Sequence, residues 1–297
     1  MLTLPSGRQL GYAEYGVAGG NPVFYFHGNT GSRLDSYLFD EVKLRRHGLR
    51  LIAIDRPGFG LSPFLPGRSL MDWPRDVAHA ADRLGLGRFA VLGFSGGTPY
   101  ALVCAKAIAD RLTAAVLVSA VTPLDIPGIT AGMAPLAYTY LKTAQISSGL
   151  AAVMMAFMRL ALRNENRVHE IAFSAPDRVL QAEHKQSINR SLRESWRNGV
   201  HGVAWDAALV VRDWGFPLDS IRMPVHVWQG EADRNTPLGM ANYLCRRIPR
   251  CVAHLSPHEG HLSIMKSAFD DIARTLASTG RHSQPPRPTE RRARTRR

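Results

Sequence analysis

The sequence predicts an α/β fold: a mostly parallel central sheet with helices on both faces and an inserted helical lid. Three observations carry this. Short apolar runs alternate with helical patterns through two stretches of the chain. A small-residue pentapeptide, Gly93-Phe94-Ser95-Gly96-Gly97, stands between an apolar run and a helical pattern. The alternation then stops between residues 123 and 215, where helical patterns follow one another without a strand.

The elements follow in order. Residues 2–15 hold Pro5-Ser6-Gly7 between short alternating segments and predict an edge hairpin. The apolar runs 23–26 and 49–54 predict buried strands, and those at 90–93, 114–119, 225–228 and 251–255 predict further strands. Between them, residues 69–84, 98–108, 236–247 and 262–276 predict helices. In the first of these Val77, Ala80, Ala81 and Leu84 repeat at the spacing of one helix face. Within the insertion, residues 134–143, 150–162, 178–198 and 203–214 predict four more helices. The domain reading is therefore a core of 1–122 and 216–278, a lid of 123–215 and a terminal segment of 279–297.

Composition sets the outer limits. A chain of 297 residues with 45% hydrophobic and 21% charged residues is long enough for a sizeable core. The start of the chain lacks a basic segment followed by an apolar one, and no apolar run reaches the ~18 residues of a membrane span. A soluble, cytoplasmic protein is expected. Cys104, Cys245 and Cys251 show no C-x-x-C or zinc spacing and are expected as reduced thiols. The net charge is +13, but residues 281–297 hold seven arginines against one glutamate. That segment has three prolines and no large apolar residue, so it is expected to be disordered. A polyanion-binding tail and a solvated extension are the two readings, and the excess of arginine over lysine throughout the chain weakens the first. Nucleic acid is not the expected partner, and no metal or cofactor is expected.

Strand, G-x-S-x-G, helix is a context in which small residues permit a tight turn that pushes one hydroxyl out of the sheet. Ser95 is the candidate nucleophile. A serine hydroxyl is weak at neutral pH and needs a base, itself oriented by a third group. Both should stand just beyond strand ends. Asp233 follows the strand at 225–228 and His261 follows the one at 251–255. Glu231 and Asp125 compete for the acid role, His258 for the base. An oxyanion would be held by the backbone N–H of Gly96 and by that of Asn29 in the loop His27-Gly28-Asn29-Thr30-Gly31-Ser32. His27 is expected as a structural hydrogen-bonder. Phe94, Met154, Met155, Phe157 and Met158 are candidates for an apolar acyl pocket, with the lid's own core as the alternative role for the residues of the insertion.

With those residues in place, the chain resembles the α/β-hydrolase superfamily, in the branch of the proline iminopeptidases, epoxide hydrolases and small esterases. The matching pieces are His27-Gly28-Asn29, the run from Asp55 to Ser62, Gly93-Phe94-Ser95-Gly96-Gly97, Gly230-Glu231-Ala232-Asp233 and Glu259-Gly260-His261. They cover both core segments; the insertion and the terminal segment match nothing. The resemblance implies the chain order nucleophile, acid, base. It also implies that epoxide and haloalkane chemistry, which uses an aspartate at the elbow, is not expected of a chain with Ser95 there. The iminopeptidase-like members carry tryptophan near the elbow and acidic residues that hold the substrate amine, which this chain does not match around Phe94. Hydrolysis of a small or medium carboxylic ester, with a small-molecule acyl substrate, is the leading expectation. A lyase or cofactor-free peroxidase on the same triad, or a ligand-binding protein with little catalysis, are the alternatives.

Overall fold

The computed structural model describes residues 1–161 and 174–278. The terminal segment 279–297 lies outside the described residues, as does the end of the helix expected at 150–162. Two short strands, β1 (Leu2–Thr3) and β2 (Gln9–Leu10), form a separate antiparallel hairpin. The main sheet contains β3 (Tyr12–Gly16), β4 (Asn21–Phe26), β5 (Leu49–Ile54), β6 (Phe89–Phe94), β7 (Leu112–Val118), β8 (Val225–Gly230) and β9 (Cys251–Ser256). Its order is β3-β5-β4-β6-β7-β8-β9, with only β3 antiparallel to its neighbour. The expected edge hairpin is thus split: the chain turns at Gly11, and β3 alone joins the sheet.

Alternation along the strands divides the core. Phe24 and Phe26 of β4 face one side with Ile52, Ile54 and Val91. Val23 and Tyr25 face the other with Leu51, Ala53 and Leu92. Helices α2 (Trp73–Arg83), α3 (Thr98–Ala107) and α9 (Leu238–Arg247) cover the first face through Val77, Leu102 and Leu244. Helices α1 (Glu41–Arg46), α10 (Ser263–Ser267) and α11 (Phe269–Ser278) cover the second through Leu44, Ile264 and Ile272. The single helix expected at 262–276 is broken between α10 and α11.

Between β7 and β8 lie α4 (Pro135–Ile146), α5 (Ser148–Ala161), α6 (Ala175–Glu183), α7 (Lys185–Ser195) and α8 (His201–Val211). No strand interrupts them among the described residues. The helix expected at 178–198 is two, separated at His184. No helix of the described residues is long and apolar enough to cross a membrane.

One expectation about the cysteines is corrected. Cys245 and Cys251 form a disulfide, leaving buried Cys104 as the free thiol. The chain leaves the last turn of α9 and re-enters the sheet at the first residue of β9, which brings the two Cα atoms to 5.0 Å, within the span of a disulfide.

A buried polar network ties the inserted helices to the core. Asp206 of α8 accepts from Arg56 (2.7 and 3.1 Å), Arg68 (2.6 Å) and the Tyr100 hydroxyl (2.5 Å). Burial alone would raise the Asp206 carboxyl, but Arg56 and Arg68 outweigh it and hold the group far below the usual carboxylate range. Removing Asp206 would leave two guanidinium groups buried and uncompensated. Asp206→Ala is expected to cost about 3–5 kcal/mol and lower Tm by on the order of 10 °C. Calorimetry checks this; an unchanged Tm would show that the network contributes nothing.

Candidate active site

The sheet order reverses at β4, which pairs with β5 on one side and β6 on the other. Crevices beyond the carboxyl ends of strands at such a point are where α/β sheets bind ligands. Phe26 and Gly93 are register partners, so the loop after β4 and the turn after β6 emerge side by side.

Ser95 sits on that turn with φ +50°, a left-handed conformation that a residue with a side chain rarely adopts and that costs about 1–3 kcal/mol. Two glycines make it possible. A Cβ on Gly93 would come 2.6 Å from the Gly97 carbonyl oxygen, and one on Gly97 would overlap the carbonyl of Phe26. The backbone then enters α3 directly.

The structure brings Ser95, His261 and Asp233 together from three strand ends. Ser95 Oγ lies 3.0 Å from His261 Nε2. His261 Nδ1 lies 2.8 Å from Asp233 Oδ2, so the Nδ1–H tautomer donates to the carboxylate and Nε2 is left as an acceptor. Asp233 is tightly held. Its Oδ1 accepts the backbone N–H groups of Asn235 (2.8 Å) and Thr236 (2.9 Å). Its Oδ2 also accepts the Thr236 hydroxyl (2.7 Å) and Gln229 Nε2 (3.1 Å). Burial pushes the carboxyl up, but His261 and these donors more than offset it, and Asp233 stays below the ordinary range. Burial likewise pulls His261 down, and the charge and hydrogen bond of Asp233, with the charge of Asp177, lift it above its ordinary value. Glu231, Asp125 and His258 are exposed and take no part in this set.

Asn29 and Gly96 stand beside Ser95 and His261 in the wall of one cavity of about 220 Å³. The Asn29 side chain is engaged elsewhere: its Oδ1 accepts the Tyr140 hydroxyl (2.8 Å) and its Nδ2 donates to the Val203 carbonyl (3.3 Å). Its backbone N abuts the elbow, 3.0 Å from where a Cβ on Gly96 would lie. His27 is buried, and burial, aided by Arg56, holds it well below its ordinary value. Its ring spans the Gly28 carbonyl (2.8 Å) and the Arg56 N–H (3.3 Å), as a structural histidine would.

Of the pocket candidates, Phe94, Met155 and Met158 line the cavity. Met154 and Phe157 do not. Met154 packs against the core, and Phe157 is 69% exposed. Sequence reasoning also missed Asp177. This residue, in the first turn of α6, accepts the backbone N–H groups of His261 (2.8 Å), Leu262 (2.7 Å) and Ser263 (2.9 Å). An inserted helix thereby fixes the loop that carries His261. A side chain at Gly260 would displace that carboxylate and Ser174. No group of three or more potential metal ligands occurs among the described residues.

A mainly parallel sheet with its switch point at a strained serine, facing a histidine and an aspartate from later strands, defines an α/β-hydrolase architecture. The chain belongs to the α/β hydrolase fold family, whose sequence profile matches residues 21–268. It is 34% identical over 131 residues to a non-heme chloroperoxidase of Streptomyces lividans, a match spanning 43% of this chain and 47% of that protein. It is 25% identical over 244 residues to a bifunctional esterase/perhydrolase of Acinetobacter calcoaceticus, covering 80% of this chain and 83% of the relative. A non-heme haloperoxidase of Rhodococcus erythropolis is also 25% identical, over 245 residues with the same coverage of each chain. Among solved structures, an esterase from Thermogutta terrifontis superposes with a TM-score of 0.66 at 20% identity, over 93% of this chain and 96% of that one. An enol-lactonase from Burkholderia xenovorans does so with 0.70 at 16% identity, over 94% and 98%. These structural likenesses speak to the fold alone.

Proposed function

We propose that the protein is a serine hydrolase of small or medium carboxylic esters, working through an acyl-enzyme. The observation that carries this is the unbroken chain from Ser95 Oγ through His261 to Asp233, at 3.0 and 2.8 Å. Ser95 Oγ attacks the ester carbonyl carbon as His261 Nε2 takes its proton. The carbonyl electrons move to oxygen, and the backbone N–H groups of Asn29 and Gly96 stabilise the oxyanion, each worth about 10²–10³ in rate. Collapse breaks the bond to the alcohol oxygen, which leaves with the proton from His261. Water, deprotonated by His261, then attacks the acyl carbon and releases the acid and Ser95. Asp233 holds the imidazole in the required tautomer and balances the imidazolium.

The inserted helices act as a lid in this reading. Leu136 and Leu141 of α4, Met155 and Met158 of α5 and Leu192 of α7 line the cavity at Ser95. An apolar wall favours apolar acyl chains, at about 0.8 kcal/mol or fourfold per buried CH₂ until the cavity is full. The test is kcat/KM across acetate, butyrate, hexanoate and octanoate p-nitrophenyl esters, with a fluorophosphonate probe to count reactive serines. One labelled residue, Ser95, and a rate rising with chain length are expected. Met158→Trp should shorten the preferred chain. No labelling would overturn the mechanism; a flat profile would overturn the apolar pocket.

A second reading rests on the relatives named esterase/perhydrolase and haloperoxidase. In it hydrogen peroxide replaces water as the acyl acceptor and the product is a peracid. Product analysis with an acetate ester and added peroxide separates the two: peracetic acid formed only by the protein with Ser95 intact would establish perhydrolysis.

A further inference from the structure

Part of the cavity wall consists of buried hydrogen-bond acceptors that the ester chemistry does not use. Asp35 follows the loop after β4 and is 1% exposed, yet it lines the cavity that holds Ser95. Its carboxylate accepts from the Ser32 N–H (3.2 Å), the Tyr25 hydroxyl (2.9 Å) and the Ser191 hydroxyl of α7. All three donors are neutral. Four other buried aspartates face a cationic or imidazole partner: Asp55 has Arg33, Asp76 has Arg8, Asp206 has two arginines and Asp233 has His261. Asp177 has only neutral donors, as Asp35 does, but it accepts four, from the N–H groups of His261, Leu262 and Ser263 and the Ser174 hydroxyl. Asp35 forms no ion pair among the described residues. Burial pushes its carboxyl up to about 6, as expected of a group whose charge is poorly compensated. A carboxylate offers about four lone-pair sites, and three donors leave one open.

Two further residues belong to this wall. Gln181 of α6 is 5% exposed and lines the cavity, and its Oε1 has no partner among the described residues. It lies one helical turn beyond Asp177, which anchors the His261 loop. Tyr37 lines the cavity as well, and burial together with the Asp35 charge keeps its hydroxyl neutral and able to accept. Gln181 Oε1 is thus a buried acceptor without a donor, which is unfavourable in an otherwise apolar surrounding and calls for a partner such as a ligand donor.

We propose that Asp35, Tyr37 and Gln181 form a subsite for a hydrogen-bond donor, a hydroxyl or ammonium group carried by the substrate away from its reacting carbonyl. This rests on the ester-hydrolase reading for the identity of the substrate and refines it. The preferred substrate has an apolar chain that ends in a donor.

Probes without an ester bond test the subsite apart from catalysis. The full chain is titrated, by ligand-detected NMR, with 1-pentanol, n-pentylammonium, pentanoate and 1-methoxybutane, which are similar in length and differ in donor and charge. Pentanol or pentylammonium should bind at least tenfold tighter than 1-methoxybutane, and whichever binds tighter names the donor. Gln181→Met and Tyr37→Phe should each reduce that preference at least threefold and leave the affinity for 1-methoxybutane within twofold. Asp35→Asn should abolish preference for the ammonium; if that variant does not fold, the other two still decide. Equal binding of all four probes, tightest binding of pentanoate, or an unchanged preference in both Gln181→Met and Tyr37→Phe would overturn the subsite. Ester hydrolysis retained with no donor preference would remove the subsite alone. Donor preference retained with no ester hydrolysis would remove the functional reading alone.

Discussion

Ser95→Ala is expected to lower ester turnover by about 10⁴–10⁶-fold and to abolish fluorophosphonate labelling. In the proposed mechanism Ser95 Oγ forms the acyl bond, and it is the hydroxyl partner of His261 Nε2, at 3.0 Å. The three residues act as a unit, so adding His261→Ala to Ser95→Ala should cost little more. In the proposed mechanism, what survives is binding and oxyanion stabilisation by Asn29 and Gly96. Alanine at φ +50° carries the same backbone strain as serine, so Tm should stay within a few degrees. His258→Ala serves as the control: the side chain is exposed, three residues from His261, and its loss should leave kcat/KM unchanged. Turnover and labelling both retained in Ser95→Ala would place the nucleophile elsewhere.

The strands and the convergence of Ser95, Asp233 and His261 were legible because their signals are local. An apolar run bounded by turn residues marks a buried strand wherever its partners lie, and the residues of the triad each follow such a run closely. The spacing of small residues around Ser95 reports a backbone conformation that the sequence itself must permit. Asp177 and Asp206 were not legible. Asp177 meets the His261 loop across 84 residues, and Asp206 meets Arg56 across 150. In the sequence Asp206 is a single acidic residue within the helical pattern at 203–214, and Asp177 one just before the pattern at 178–198. The pocket was legible only in part, for a related reason: Phe94, Met155 and Met158 line the cavity, and Met154 and Phe157 do not. Met155 and Met158 share one face of α5, while Met154 and Phe157 share a face about 100° away. Periodicity separates the two pairs, but only the packing of α5 against α4 and α8 decides which pair meets Ser95. The disulfide was missed because spacing alone does not reveal that the end of α9 and the start of β9 are adjacent. Asp35 and Gln181 are further cases: each is visible only as a buried acceptor in a wall built from separate parts of the chain.

Asp233→Asn should preserve the fold and lower kcat on the order of 10⁴-fold, because an amide can present an N–H to Nδ1 and favour the tautomer that cannot accept the Ser95 proton. The pH profile gives a second readout. His261 must be neutral to act as a base, so its titration sets the acid limb of kcat/KM. In the native protein burial pulls His261 down while Asp233 and, more weakly, Asp177 raise it, and the balance lies above its ordinary value of 6.5. Without the Asp233 charge, burial prevails over what remains. The acid limb should therefore move to lower pH, and the small residual activity should persist into more acidic buffer than native activity does. The measurement is kcat/KM for a p-nitrophenyl butyrate substrate from pH 4.5 to 9 in both proteins, with circular dichroism to confirm the fold. A drop in rate with an unmoved acid limb would mean that Asp233 positions the ring without setting its charge. A limb moved to higher pH would contradict the electrostatic assignment, since removing an anion cannot stabilise an imidazolium beside it.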